Sequence, residues 1–409
     1  MSETTKHKLS IMTQIAILLL GFYAMADMFI VSPLLGEIQM AFPDTSPTTV
    51  QMCYAVSQIT ILISTLLCIP LVRKTSKKTL LVIGALLVGL GGGFGASVDN
   101  IGYMLVMRCI EGIGCGFIIT LIPVVIAELY NEYKTQQLIG WQAAAGCGFG
   151  SLLAILSGSW AVVYGWQTGY WLYFISIALM VLIIAFIPKT PVDKPIPKEE
   201  QVLPPRINKD VGVWSIVVLV FALLTNCIFI FEATFMMETG IGMTPEGVDA
   251  SAALAGSTQA VLTAGSAVGG ILMAIFSKKF RSFLEFFCWA MVAIGSTLLF
   301  FAINGGNVPL SYIACAIFGL GYGTFFPWFY AKTTMICNPG AETKSMSLIN
   351  CAYFIGMFVA VYFYLALQTL ANNSTSAFCF NFMMIACVIV AVIFLITGII
   401  GRKKFKELQ

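Results

Sequence analysis

The chain contains few charged residues. Of its 409 residues only 10% are Asp, Glu, Lys or Arg, whereas 59% are hydrophobic, and the mean hydropathy is +0.91. A soluble domain carries about 25% charged residues, so this composition cannot cover a surface that faces water. The composition excludes a soluble protein and predicts one that spans a lipid bilayer. The net charge of +3 says little about partners, and we expect no nucleic-acid partner.

Histidine is nearly absent as well, because His7 is the only one. Its position near the N-terminus excludes histidine proton relays, histidine metal sites and Ser-His catalysis within the membrane. The 12 cysteines follow no metal-binding or redox spacing and are interpreted as small packing residues of apolar segments. No Gly-x-x-x-x-Gly-Lys-Ser/Thr loop for ATP occurs. We therefore expect no enzyme, no metal, no cofactor and no ATP-driven pump.

Twelve apolar segments are long enough to cross a bilayer, which takes about 20 residues in a helix. Numbered in chain order as segments 1 to 12, they are 11–35, 48–71, 79–98, 101–122, 136–159, 169–188, 213–236, 249–276, 283–303, 309–333, 345–370 and 377–401. Backbone polar groups in lipid must be paired within a helix or a closed barrel, and the segments are too long and evenly apolar for barrel strands. The predicted fold class is an all-α membrane protein with twelve transmembrane helices.

Basic residues are distributed unevenly between the predicted loops. Of the 22 Lys and Arg residues, 20 fall in the two termini and in alternate loops; the other two, Arg108 and Lys332, lie within segments 4 and 10. Cytoplasmic loops carry the excess of Lys and Arg, so both termini are predicted to be cytoplasmic. We expect a multi-pass, monomeric protein of the plasma (cytoplasmic) membrane.

The chain is predicted to consist of two related halves. A stretch rich in proline and charge separates six segments from six, which predicts an N-terminal bundle at 1–188, a cytoplasmic linker at 189–212, a C-terminal bundle at 213–401 and a basic tail at 402–409. The run Gly112-Ile113-Gly114-Cys115-Gly116 in segment 4 recurs 207 residues later as Gly319-Leu320-Gly321-Tyr322-Gly323 in segment 10. Such a repeat indicates pseudo-symmetry, and its small residues let helices pack closely.

Several motifs resemble those of the major facilitator superfamily. "RCIEGIGCG" (108–116) resembles that family's buried Arg with its glycine-rich turns, and "AELYNEYKTQQLIG" (127–140) resembles its passage from segment 4 to segment 5. "GWQTGYWLYF" (165–174) resembles the start of its segment 6, and "ADMFIVSPLL" (26–35) resembles the Asp-containing motif of the drug:proton antiporter branch. The resemblance spans the chain and implies two pseudo-symmetric six-helix bundles that move a small molecule by alternating access.

Two motifs depart from the pattern of that family. Its loop between segments 2 and 3 usually begins Gly-x-x-x-Asp-Arg-x-Gly, whereas "IPLVRKTSKKTL" (69–80) has Arg73 in place of the Asp. We therefore expect an altered cytoplasmic gate, in which Arg73 pairs with Glu128 at the end of segment 4. In segment 5, Cys147 stands where exporters of the family often have Pro, which weakens the prediction of export without reversing it.

Four ionisable residues lie deepest in the apolar segments: Asp27, Arg108, Glu111 and Glu232. A charge near the bilayer centre costs about 2.5–3.5 kcal/mol, and such residues usually mark ion or substrate paths. The alternative is that they only pair with one another and lock helices together. Asp27 and Arg108 fall at similar depths in segments 1 and 4 and are predicted to form the proton switch. Glu111, on the same helix face as Arg108, is a competing partner.

The resemblance also implies that segments 1, 2, 4, 5, 7, 8, 10 and 11 line the substrate cavity. Aromatic and polar residues of these segments are predicted to bind substrate by stacking and hydrogen bonding: Tyr23, Gln51, Tyr54, Gln58, Gln142, Asn226, Glu232, Gln259, Trp328, Asn350 and Tyr353. The alternative for each is packing or interhelical hydrogen bonding. Trp328 also fits an interfacial aromatic belt, and Glu232, if ionised, would favour cationic substrates. Glu285 and Lys332 lie near segment ends, where charges reach the interface.

These features predict a proton-coupled secondary active transporter of a small organic, amphiphilic molecule, with substrate, protons and the bilayer as its partners. The segment 1 motif favours export by proton antiport. The alternative is proton-coupled uptake, in which Arg108 or Lys332 holds an organic anion. A membrane enzyme or a non-transporting receptor would be a different class of protein. The chain offers no nucleophile with a base for the first, and its linker and tail are too short to hold a signalling domain for the second.

Overall fold

The structure, a computed structural model, describes the backbone of the chain at 11–24, 27–130, 132–188, 207–245, 247–338 and 341–407. Within these ranges it describes every side chain except those at 21–24, 27, 28, 69, 127, 132–137, 139–145, 147, 274, 281, 342, 343 and 401–407. The chain divides between residues 203 and 204 into two compact units, unit 1 and unit 2.

Unit 1 is built from helices. These are α1 (Ile11–Ala24), α2 (Asp27–Val31), α3 (Leu35–Ala41), α4 (Pro47–Leu71), α5 (Lys77–Gly93), α6 (Ile101–Leu129), α7 (Glu132–Tyr164), α8 (Gln167–Tyr170) and α9 (Ile175–Phe186). Short 3-10 turns at Ser32–Leu34 and Trp171–Phe174 connect α2 to α3 and α8 to α9. The predicted segments 1 to 6 coincide over most of their lengths with these helices.

Unit 2 is also built from helices. These are α10 (Lys209–Thr239), α11 (Ser251–Phe280), α12 (Leu284–Asn304), α13 (Val308–Ile336), α14 (Glu342–Ala371) and α15 (Ser376–Glu407). Because α10 begins at Lys209, the predicted linker at 189–212 extends into the helix by its last four residues. Across the described residues of both units, eight helices are long and apolar enough to cross a membrane. The count of twelve spans and the cytoplasmic termini stay predictions.

Polar caps define where several of the long helices begin. Asn100 Oδ1 accepts a hydrogen bond from the Tyr103 backbone N–H at 3.0 Å and so caps α6. Asn208 and Asn307 cap α10 and α13 in the same way. Such a side chain satisfies a backbone donor that the first helical turn leaves unpaired. At its other end α10 stops at Gly240, whose φ of 69° is left-handed and suits glycine.

Helix α6 packs between α4 and α5 through glycines on opposite faces. Gly112 and Gly116 face α4, where a Cβ added at Gly116 would overlap the Ser64 side chain. Gly114 faces α5, where an added Cβ would lie 2.5 Å from the Gly84 carbonyl oxygen. Residues four apart share a helix face and residues two apart do not, so the Gly-x-Gly-x-Gly run serves two neighbouring helices at once.

Helix α13 repeats this arrangement between α11 and α12. Gly319 and Gly323 face α11, and a Cβ added at Gly323 would overlap the Ser266 backbone. Gly321 faces α12, where an added Cβ would lie 2.6 Å from the Cys288 carbonyl oxygen. The prediction that the two glycine runs let helices approach closely is therefore confirmed, and the 207-residue repeat extends to helix packing.

An ion pair joins the start of α5 to the end of α6. Lys77 Nζ lies 2.6 Å from Glu128 Oε1, and the Lys77 side chain is only 1% exposed. Glu128 therefore pairs with Lys77. The predicted pairing of Glu128 with Arg73 is wrong. The reason is that Lys77 opens α5, which packs along α6, whereas Arg73 is exposed in the preceding turn.

Unit 2 contains a matching ion pair with the charges reversed. Lys332 Nζ, near the end of α13, lies 2.6 Å from Glu285 Oε1 in the first turn of α12. Helix N-termini favour acids and C-termini favour bases, so this pair agrees with the helix dipoles. The pair of unit 1 has the opposite polarity, with Lys77 at a helix start and Glu128 at a helix end. Each of its charges therefore lies at the less favourable end of its helix.

The first prediction concerns the glycine contacts. Gly323→Val is expected to lower the thermal unfolding midpoint, because overpacking a tight contact costs about 1–3 kcal/mol. Gly212→Ala is the control in the same unit, since Gly212 lies in α10 with open space at its Cβ position. That change should leave stability unchanged or raise it by up to about 1 kcal/mol. Unfolding of the detergent-purified variants measures both values; equal midpoints would contradict the prediction.

The second prediction concerns the ion pair of unit 1. Lys77→Glu alone should destabilise the protein, because it places two acids side by side. Adding Glu128→Lys should restore the native midpoint or exceed it, since each exchanged charge then gains about 0.3–1 kcal/mol from its helix end. Arg73→Glu is the control and should change stability by less than about 0.5 kcal/mol, as at other exposed positions. A double variant no more stable than Lys77→Glu would show that the pair does not control stability.

Candidate substrate and proton sites

Arg108 lies on α6 and is completely buried. Its Nε donates to the Cys53 carbonyl oxygen at 2.7 Å, and its Nη2 donates to Ser57 Oγ at 2.9 Å, one turn further along α4. Its Nη1 donates to the Tyr173 hydroxyl at 2.7 Å and lies 3.1 Å from Glu111 Oε2. A charge is tolerated away from water only when it is paired and hydrogen-bonded, and these contacts meet both conditions.

Glu111 is the partner that neutralises Arg108 within the described part of unit 1. It is also completely buried, and Cys115 Sγ donates to its Oε1 at 2.9 Å. The i,i+3 spacing on one helix had indicated this contact. Tyr173 completes the site but was not predicted, because it lies in the 3-10 turn 65 residues away along the chain. No local spacing in the sequence relates such a hydroxyl to Arg108.

Three predicted site residues lie outside the described side chains: Tyr23, Asp27 and Gln142. The backbone of Asp27 forms the first residue of α2. The pairing of Asp27 with Arg108, and with it the proton switch, therefore stays a prediction.

The other predicted substrate residues of unit 1 adjoin the Arg108 site. Tyr54 and Gln58 are buried on α4, and Gln51 one turn earlier is 7% exposed. Gln58 Nε2 lies 3.4 Å from the oxygen of Ser57, which also accepts from Arg108. The structure thus brings two predicted sets, proton-coupling and substrate-binding residues, to the same part of α4 and α6.

Glu232 is the buried acid of unit 2. It lies on α10, with Oε1 accepting from Thr258 Oγ1 at 2.8 Å and from Cys315 Sγ at 3.6 Å, and with Gln259 beside it. Cys315 occupies the position on α13 that Arg108 occupies on α6, 207 residues earlier. Glu232 and Gln259, both predicted for the site, are therefore neighbours. No three His, Cys, Asp or Glu side chains are grouped as for a metal ion anywhere in the described part of the chain.

An aromatic stripe runs along the side of α13 that faces α14. It consists of Tyr322, Phe326 and Tyr330, which are spaced four residues apart. The Tyr322 hydroxyl lies 2.6 Å from that of Tyr353, and the Tyr330 hydroxyl donates to Asn350 Oδ1 at 2.6 Å. The Phe326 ring centroid lies 5.6 Å from that of Tyr353. Asn350 and Tyr353 were predicted, whereas the stripe was not, although its i, i+4, i+8 spacing is visible in the sequence.

Two other predicted substrate residues of unit 2 have partners between helices. Asn226 Nδ2 on α10 donates to the Met357 carbonyl oxygen at 2.9 Å and so joins α10 to α14. Trp328 lies on the face of α13 away from the aromatic stripe, and its Nε1 donates to Glu285 Oε1 at 3.1 Å. For both residues the structure agrees with the alternative of interhelical contact.

Trp328 belongs to a separate cluster near the ends of α12 and α13. A cavity of about 300 Å³ is lined there by Ser282, Glu285, Trp328, Lys332, Phe394 and Thr397. Lys332 Nζ also lies 4.1 Å from the Trp214 ring centroid, a cation–π distance. Lys332 is therefore held by a carboxylate and an aromatic face of its own unit.

Comparison with known proteins agrees with this architecture. A sequence profile described as Major Facilitator Superfamily matches residues 17–361. Sugar transport protein 3 of Arabidopsis thaliana is 27% identical over 131 residues, which cover 32% of this chain and only 26% of that protein.

Solved structures with the same fold cover nearly the whole chain. A D-xylose-proton symporter superposes with a TM-score of 0.70 at 16% identity, covering 94% of this chain and 96% of that one. The nucleoside transporter NupG gives 0.71 at 13% identity, covering 94% and 99%. A peptide transporter POT with sulfate gives 0.74 at 13% identity, covering 95% of both chains. The profile covers most of the chain and the fold is that of membrane transporters, so this multi-pass integral membrane protein belongs to the Major Facilitator Superfamily.

Proposed function

We propose that the chain is a proton-coupled secondary active transporter that moves a small organic, amphiphilic molecule by alternating access. Membership of the superfamily supports transport. The observation that carries the coupling is the complete burial of ionisable groups inside each unit, namely Arg108 and Glu111 in unit 1 and Glu232 in unit 2. Ionisable residues within a membrane are costly, and they typically mark ion or substrate paths. The proposed setting is the plasma membrane, with twelve spans, cytoplasmic termini and a monomeric chain.

The chemistry of the aromatic stripe supports an uncharged or amphiphilic substrate. Its hydroxyls and the Asn350 amide supply hydrogen-bonding groups, and its rings supply apolar surface, without any formal charge. Small-molecule sites typically combine such aromatic walls with a few polar groups. A substrate that stacks on rings and exchanges hydrogen bonds with hydroxyls fits this surface better than a strongly charged one.

Export by proton antiport is the favoured direction, and it rests on the motif around Asp27. Proton-coupled uptake is the second candidate, supported by the similarity of the fold to that of a D-xylose-proton symporter. Uptake of an organic anion on Arg108 or Lys332 has less support. Both bases already have carboxylate partners, and displacing one would leave a buried acid without its counter-charge.

The proposed proton switch consists of Asp27 on α2 and Arg108 on α6, with Glu111 as the competing acid. Arg108 stays protonated, so a carboxylate must carry the exchangeable proton. Separation of Asp27 from Arg108 would favour the protonated acid, and pairing would favour release of the proton. Coupling then follows if the two conformations of the transport cycle differ in this distance.

The third prediction tests the direction of coupling. Purified protein in sealed vesicles is given an imposed pH gradient, with ethidium and D-xylose as separate labelled probes. An antiporter should drive a probe opposite to the proton, and a symporter should drive it in the same direction. A protonophore should abolish either movement. Probe movement at the same rate with and without the gradient would contradict proton coupling.

The fourth prediction concerns Asp27. Asp27→Asn should reduce gradient-driven accumulation about 5- to 150-fold, the factor that corresponds to typical coupling free energies. Exchange of the probe without a gradient should persist. Asp44→Asn is the matched control, because Asp44 is exposed in the turn before α4 and should leave accumulation unchanged.

Arg108→Ala should act differently from Asp27→Asn. It removes the counter-charge of a buried acid, so it should destabilise the fold by about 3–5 kcal/mol as well as stop transport. Thermal unfolding of the two variants separates a coupling defect from a folding defect. Normal accumulation and pH dependence in Asp27→Asn would exclude Asp27 as the coupling residue and leave Glu111 as the next candidate.

A further inference from the structure

Glu232 is held inside unit 2 by uncharged groups. Its side chain on α10 is 0% exposed. One carboxyl oxygen, Oε1, contacts Thr258 Oγ1 at 2.8 Å and Cys315 Sγ at 3.6 Å. The other, Oε2, is buried and has no hydrogen bond of normal geometry to any residue that the structure describes, although the Gln259 side chain lies beside the carboxyl.

A basic residue neutralises each of three other acids of the described helices. These pairs are Glu111–Arg108, Glu128–Lys77 and Glu285–Lys332. Glu232 forms no ion pair with any residue in the described ranges. An isolated ionised carboxylate is very costly away from water, and a group in such a place usually becomes neutral instead.

Among the described side chains, the helices around Glu232 offer no charge to compensate it. Helix α11 presents the uncharged Thr258 and Gln259, and α13 presents Cys315, the one titratable group that contacts the carboxyl. Within the described residues, α12, α14 and α15 place no charged side chain against it. On α10 itself the next acid is Glu238, whose carboxylate binds the backbone and hydroxyl of Ser376 instead.

We infer that Glu232 is a proton-binding site of unit 2, occupied by a proton while the residue is buried as described. The ligand is the proton itself, and the site consists of the Glu232 carboxyl with Thr258 as its hydrogen-bond partner. This assignment replaces the expectation that Glu232 binds a cationic substrate as an ionised carboxylate.

The hydrogen bonds of Thr258 accommodate a proton on Glu232. Thr258 Oγ1 lies 3.0 Å from the carbonyl oxygens of both Leu254 and Ala255, so its hydroxyl can donate to either. Its oxygen is then free to accept from a protonated Oε1 across the same 2.8 Å contact. Every hydrogen in this chain of groups has an acceptor, and no net charge is buried.

The role of this proton rests on the proposed function. If the transport cycle brings water or a cation to Glu232, the ionised carboxylate is stabilised and the proton leaves. Reburial of the side chain then requires a proton to return. Glu232 would thereby couple proton binding to the conformation of unit 2. Arg108 and Glu111, in contrast, can both remain charged because each compensates the charge of the other.

Infrared difference spectroscopy of the purified chain tests the proton directly. The spectrum of the native protein minus that of Glu232→Gln, near neutral pH, should contain the C=O band of a protonated carboxylic acid, shifted in heavy water. The corresponding difference for Glu238→Gln, the control on the same helix, should contain carboxylate bands. A difference spectrum for Glu232→Gln with carboxylate bands alone would overturn the inference. If this variant does not fold, Glu232→Asp, which keeps the carboxyl on a shorter side chain, takes its place. The C=O band of the protonated acid should then differ in frequency between the native protein and the variant, and an unchanged band would overturn the inference.

Transport in vesicles then tests the role. With ethidium and D-xylose as probes, Glu232→Gln should lose gradient-driven accumulation but retain exchange, and Glu238→Gln should retain both. Accumulation by Glu232→Gln with native pH dependence would exclude Glu232 from coupling. Loss of exchange at a native unfolding midpoint would assign Glu232 to substrate binding and overturn its coupling role. A native protein that ignores the pH gradient would overturn the proposed function and the coupling role, while the infrared result would still decide whether Glu232 holds a proton.

Discussion

The packing of unit 1 depends on the need to surround one buried guanidinium. Arg108 has no water to solvate it, so its donors must find acceptors within the protein. They find them on α4, on the turn at 171–174 and on α6 itself, where Glu111 supplies the opposite charge. These contacts join three elements that are far apart in the chain. Loss of the charge would leave Glu111 without this counter-charge, and loss of an acceptor would remove one hydrogen bond from the buried guanidinium.

Close helix packing brings these acceptors within hydrogen-bonding distance of Arg108. Gly112 lies one turn after Arg108 on the same face of α6, and a Cβ added there would lie 2.7 Å from the Ser57 carbonyl oxygen. Because no side chain separates the helices there, α4 comes near enough for its carbonyl and hydroxyl oxygens to accept from Arg108. The glycine run therefore acts through its lack of side chains. Its mechanical role and the electrostatic role of Arg108 are linked.

The two units share a packing scheme but differ in their charges. Gly-x-Gly-x-Gly joins the central helix to two neighbours in each unit, yet Cys315 stands in unit 2 where Arg108 stands in unit 1. Glu232 is consequently buried without the cation that compensates Glu111. The close approach of helix backbones depends on small residues, which both halves contain. The buried charge depends on single side chains, which differ between the halves. The pseudo-symmetry of the scaffold thus does not extend to its buried charges.

The sequence alone determined that the chain is a helical membrane protein of two related halves, because hydropathy and small-residue spacing are local properties. It also placed Glu111 beside Arg108, since three residues along one helix fix that contact. The tertiary structure decided what lies between helices: Tyr173 on Arg108, Thr258 on Glu232, and Lys77 in place of Arg73 on Glu128. These contacts depend on the rotation and depth of each helix against its neighbours. Neither is encoded in the spacing along a single helix, so partners far apart in the chain could be recognised only in the folded protein.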